Sequence, residues 1–273
     1  NTMTYLFYGM AYYNYHYGKL EQAMQCLDKA VALGTVQEIK LIEADCGYLR
    51  FYIFYDLDQP EKAEKQNREG LNYLSLADSS YHDTFYSDFY FQDGLIDIKK
   101  HRLDSVASNI QRIKAISKDL TNDFGYHFLV QEFQIASAQK PADLDSIALN
   151  TVKPQLGGEF PWVLLNSLPF QRNSLAEAYH RFGMLDKAIA EYERMITFDP
   201  SSNDRHVINP QYHYYLGILY QEKGMKEKAS EQYRKFLDLW QDADPGFPES
   251  ADAKQRLKRI AITDYPDRSR SGS

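Results

Sequence analysis

Cysteine is scarce in this 273-residue chain. Cys26 and Cys46 stand alone, with no Cys-x-x-Cys spacing and no Cys/His cluster, so neither a disulfide framework nor a structural zinc site is expected, and both thiols are read as reduced and buried. Basic residues are also short: 31 Lys and Arg against 38 Asp and Glu leave a net charge of −7, which repels nucleic acid and anionic lipid over most of the surface. No run approaches the ~18 apolar residues of a membrane span, and no charged-then-apolar leader opens the chain. Nucleic-acid binding and membrane insertion are therefore not expected, and the expected setting is cytoplasmic. Strand signals are nearly absent, with no alternating β-branched run and no Asn-Gly or Asp-Gly hairpin turn between apolar segments.

Catalytic motifs are missing too. The chain has no GxxxxGK[ST], GxGxxG, HExxH or GxSxG sequence, which removes support for phosphate cradling, dinucleotide binding, zinc proteolysis and a hydrolase nucleophile. The seven histidines are scattered, none paired with His or Cys one helical turn away. Carboxylate pairs such as Glu191 with Glu193 read as solvated helix surface. No enzyme activity, cofactor or metal site is expected.

What the chain has in quantity is aromatic residues, 22 Tyr, 15 Phe and 2 Trp, large rings suited to helices packed on helices. It also has a repeat. Leu175, Tyr179, Gly183, Ala188 and Tyr192 recur as Leu216, Tyr220, Gly224, Ala229 and Tyr233, every pair 41 residues apart; Gly217 follows the second Leu. In each copy Leu and Tyr lie one turn apart on a first helix, Gly allows the chain to reverse, and Ala sits where a second helix must approach closely. The N-terminus reads as a third copy through Gly9, Tyr12, Gly18, Ala23, Leu27 and Ala30, with Tyr12 to Gly18 two residues longer. Between the copies, 37–56 with 60–77, 81–101 with 103–119, and 122–139 with 142–150 read as degenerate helix pairs.

This spacing resembles the tetratricopeptide repeat, a 34-residue helix pair, with the additional residues falling at 201–207. The resemblance implies an all-α superhelix, a TPR-like solenoid of about six helix pairs plus a C-terminal capping helix. The expected divisions are an N-terminal degenerate array over 1–152, an irregular joint over 153–169, a C-terminal repeat pair with its capping helix over 170–262, and a disordered tail over 263–273. The segment from about Leu168 to Ile260 also looks like the closing repeats of bacterial multidomain signalling proteins that carry a serine/threonine kinase, winged-helix or cyclase-type module. Any such module would lie upstream of Asn1.

In a superhelix of this kind the first helix of each pair lines the concave side. By the repeat register Tyr13, Asn14, Asn173, Glu177, His180, Arg181, Tyr214, Gln221 and Glu222 are expected there, a polar and aromatic set suited to a protein or peptide partner. Lysines that would grip a C-terminal carboxylate are missing from these positions. The aromatic run at 81–91 reads as core packing, with an exposed peptide groove as the sharper alternative. The function expected is a non-catalytic interaction scaffold; the alternative is a sensor holding a small ligand in the hollow. An open array end also leaves self-association possible.

Overall fold

A computed structural model describes residues 2–36, 41–76, 82–121, 123–150, 173–197, 208–245 and 247–263. The expected joint, most of the tail, Tyr81 and the 201–207 loop lie outside the described residues. Among the described residues every regular element is helical: α1 (Thr2–His16), α2 (Leu20–Val36), α3 (Leu41–Asp56), α4 (Pro60–Ser75), α5 (His82–Lys99), α6 (Leu103–Ile116), α7 (Phe124–Ser137), α8 (Pro141–Leu149), α9 (Ser174–Arg181), α10 (Leu185–Met195), α11 (Gln211–Glu222), α12 (Lys226–Leu239) and α13 (Pro248–Thr263). These are six helix pairs followed by a single helix, the all-α, TPR-like superhelix.

Five of the six pairs are joined by the same turn. Gly18, Asp58, His101, Gly183 and Gly224 all adopt positive φ, between 56° and 74°. The residue after each donates its N–H to a carbonyl five residues back: Lys19 to Asn14, Gln59 to Phe54, Arg102 to Asp97, Met184 to Tyr179 and Met225 to Tyr220, at 2.8–2.9 Å. This left-handed helix stop satisfies carbonyls that the helix end would leave orphaned. Five residues beyond each turn stand Ala23, Ala63, Val106, Ala188 and Ala229, all fully buried. They lie at the start of the second helix, where a small side chain lets the two helices of a pair close on each other.

The turn changes the register expected for the first pair. Because its hydrogen bond fixes the number of residues back to the helix, Asn14, four before Gly18, takes the place held by Tyr179 and Tyr220. Tyr12 does not take it, and there are no additional residues. The small residue seven before the turn is likewise Ala11, matching Ala176 and Gly217, all buried. At Gly217 a Cβ would meet the Tyr233 ring at 2.6 Å, whereas Gly9 has no neighbouring atom within 4 Å and supports no close approach.

Second helices pack onto the next pair's first helix, as α2 on α3, α4 on α5 and α10 on α11, while α1, α3, α5, α7 and α9 touch in sequence as a row of first helices. The buried side chains form three successive clusters along the array. One joins α1, α2 and α3, around Leu27 and Ile53; a second runs from α3 to α7, around Phe51, Phe89 and Phe91; the third runs from α7 to α13, around Tyr192, Tyr233 and Phe236. The described part of the aromatic run belongs to this packing: Phe89 and Phe91 are buried, with Tyr86 and Tyr90 half-buried and stacked on each other at 6.3 Å.

Local patterns leave the two ends of the array apart, but in the structure they meet. Trp240, which ends α12, donates its indole N–H to the His16 carbonyl at 2.9 Å, and Asp244 donates its backbone N–H to the Gly18 carbonyl at 3.0 Å. The curvature accumulated over six pairs brings the first turn against the loop that follows the last pair.

Candidate functional site

The predicted inner-face residues separate into three environments. Asn14 is buried, its amide 3.9 Å from the Cys26 sulfur. Tyr214 is buried as well, packed against Phe236 and donating its hydroxyl to Asp252 at 2.8 Å. Both serve packing between helices. Tyr13 is 57% exposed and continues a row of exposed apolar side chains on α1, Met3, Leu6 and Met10, whose spacing of three and four residues keeps them on one face.

The remaining six come together on the first helices of the last two pairs. His180 on α9 and Glu222 on α11 share a hydrogen bond at 2.8 Å with both side chains about two-fifths exposed. Asn173 donates to Glu177 at 2.7 Å and to the Tyr192 hydroxyl at 2.8 Å. Gln221 accepts from the Tyr233 hydroxyl at 2.8 Å and from Arg256 of α13 at 3.3 Å. Arg181 is exposed, its guanidinium 5.5 Å from the Phe182 ring centre. Sequence reasoning placed these residues by register; the pairing of His180 with Glu222 needs the stacking angle between pairs, which register does not supply.

A second feature lies where the ends meet, and no local motif announces it. Four contacts build the seam beside the Trp240 bond: Asp244 bonds the Gly18 carbonyl, its carboxylate accepts from the Glu21 N–H at 2.8 Å and so caps α2, Lys19 pairs with Asp242 at 3.3 Å, and Gly18 packs so tightly on Ala243 that a Cβ would sit 2.9 Å from the alanine's own. Between these contacts is a cavity of about 520 Å³. Tyr15 and His16 from the end of α1 and Ile53 and Asp56 from the end of α3 form one side; Trp240, Phe247 and Glu249 from the chain's other end face them. Among the described residues no lysine or arginine lines it.

The electrostatics of this cavity are one-sided. Asp56, Asp58, Asp244 and Glu249 contribute four carboxylates. Three have partners: Asp56 accepts from the Tyr15 hydroxyl, Asp58 pairs with Lys99 at 2.7 Å, and Asp244 caps α2. Glu249 keeps one carboxylate oxygen buried without a hydrogen bond, and both ring nitrogens of the buried His16 also lack one. Burial drives the His16 pKa down to about 4, so the ring is neutral near pH 7 and offers one lone pair and one N–H. Deeper in the row of first helices, burial raises the Asp45 carboxyl to about 7, and it raises the hydroxyls of Tyr8 and Tyr12. Among the described residues no three His, Cys, Asp or Glu side chains converge as a metal site, and no helix is long and apolar enough to cross a membrane.

The family model of the tetratricopeptide repeat matches residues 172–202, the stretch that holds α9 and α10. No curated protein matches the chain. The matched repeat contributes α9 to the α9–α11 face, and repeats of this family suggest a role in protein–protein interaction.

Proposed function

We propose that the protein is a non-catalytic interaction module that holds an extended segment of a partner protein across the first helices α9 and α11. The observation that carries this reading is the continuous polar face of Asn173, which precedes α9, and Glu177, His180 and Arg181 on α9 with Gln221 and Glu222 on α11. The His180–Glu222 contact at its centre is solvent-accessible on both sides, and exposed polar contacts of this kind contribute only ~0.2–1 kcal/mol. A partner's backbone amides and carbonyls can therefore replace it at little cost, while the packed rings beneath hold the two helices in fixed relation. The proposal includes the signalling context implied by the resemblance of the closing repeats.

Selection of displayed peptides on the purified chain tests it. Peptides so selected should lose at least about tenfold in affinity for the double variant Arg181→Glu, Glu222→Lys, with the far-ultraviolet circular dichroism unchanged. Equal affinity for both proteins would remove this face from the function.

The cavity at the seam favours a second reading, a small ligand held between the two ends of the array. A site of a few hundred cubic ångströms with a few convergent polar groups is what small-molecule binding requires.

A further inference from the structure

The seam cavity has three properties that together select one chemistry of ligand. Its wall is part aromatic, from Tyr15, Trp240 and Phe247; among the described residues its acidic and basic side chains other than His16 are all carboxylic; and two of its polar side chains, His16 and Glu249, carry buried atoms without hydrogen-bond partners. A buried polar atom left unpaired costs free energy comparable to a lost hydrogen bond, and a carboxylate oxygen can be satisfied only by a donor. Aromatic faces and carboxylates both attract positive charge and both repel anions. An anion or a simple hydrocarbon would leave Glu249 unsatisfied.

We propose that this cavity binds a guanidinium or alkylammonium group on a short apolar stem, with Glu249 as its counter-charge and His16 as a neutral hydrogen-bonding partner. The inference rests on the second reading above, that the seam cavity is a ligand site, and adds the ligand's class. Asp56 and Asp244, whose partners are uncharged, add negative field without needing to contact the ligand, whereas Asp58 is offset by Lys99; the apolar side chains Ile53 and Phe247 suit the stem. Because one wall comes from α1 and α3 and the other from the segment 240–249, an occupied cavity links the two ends of the array, and binding favours the closed seam. The group could arrive as a free small cation or as a basic side chain of a bound peptide.

Isosteric pairs test the charge and separate the two sources. Titration calorimetry is carried out on the full chain with n-butylguanidine against n-butylurea, and with acetyl-Gly-Arg-Gly-amide against the same peptide holding citrulline. The expected result is at least about tenfold tighter binding of the guanidinium member of a pair, and loss of that preference in Glu249→Gln with the circular dichroism unchanged. Preference confined to butylguanidine indicates a free cation, and a stronger preference within the peptide pair indicates a side chain. If Glu249→Gln does not fold, Asp56→Asn replaces it and should reduce the preference in part. Equal binding of charged and neutral members overturns the cation assignment while leaving a ligand site in place. No binding by any of the four overturns both the inference and the reading beneath it. A preference that survives in Glu249→Gln also overturns the inference.

Discussion

Gly183 and Gly224 hold left-handed backbone with open space where a side chain would stand, while Gly18 holds nearly the same φ but faces Ala243 and the Trp240 ring. The comparison separates backbone strain from contact. Gly183→Ala should cost ~1 kcal/mol, the penalty of an L side chain in this region; Gly18→Ala should cost that and ~1–3 kcal/mol more for overpacking the seam. Urea denaturation of the two variants measures the difference, and equal losses would mean that the seam is not closed in solution. At Asp45 the carboxyl's folded pKa, about 7, lies above its ordinary 3.8, so folding favours the protonated form. The stability this gives is complete below pH ~4 and is lost as pH rises through 7. Asp45→Asn keeps the shape and removes the titration, so its melting temperature should rise relative to the parent as pH increases from 4 to 7. His16 works in the opposite direction, giving stability present above pH 6.5 and lost as pH falls toward 4, and is common to both proteins.

At the scale of the helix pair, stability depends on five small or β-branched contacts behind the turns. Ala188 and Ala229 are fully buried, and each neighbours a fully or nearly fully buried tyrosine four residues on, Tyr192 and Tyr233. Ala188→Arg would force a long charged side chain between α9 and α10, with an expected loss of ~3 kcal/mol or more. In an array held by nearest neighbours the damage should spread to α11 and α12 before it reaches α3 and α4. Hydrogen exchange resolved by segment checks this, and uniform loss of protection along the chain would contradict it. The turns were legible in sequence where glycine marks them, at Gly18, Gly183 and Gly224. Asp58 and His101 occupy the same conformation without glycine's signature, which is why the middle pairs read only as degenerate copies. In the first pair Asn14 stands where the other copies have tyrosine, so matching by residue type shifted the register by two.

For the whole molecule the question is whether the array behaves as a closed body. Trp240 supplies the seam's indole hydrogen bond and much of its packing, against Gly18, Phe236 and Phe247. Trp240→Ala should let the ends separate, seen as a larger radius of gyration by X-ray scattering with helix content preserved. An unchanged radius would place the closing force elsewhere, in the Asp244 cap or the Lys19–Asp242 pair.

The amino-acid sequence by itself determined the helix pairs seen among the described residues and, at Ala23, Ala188 and Ala229, the small residues on which they close, because a period near 3.6 and a turn glycine are local properties that a short window of the chain displays. The meeting of its ends was decided only by the tertiary structure. His16 and Glu249 are more than two hundred residues apart, and what brings them to one cavity is the sum of small rotations from pair to pair, a quantity set by packing angles at every interface and written in no single motif.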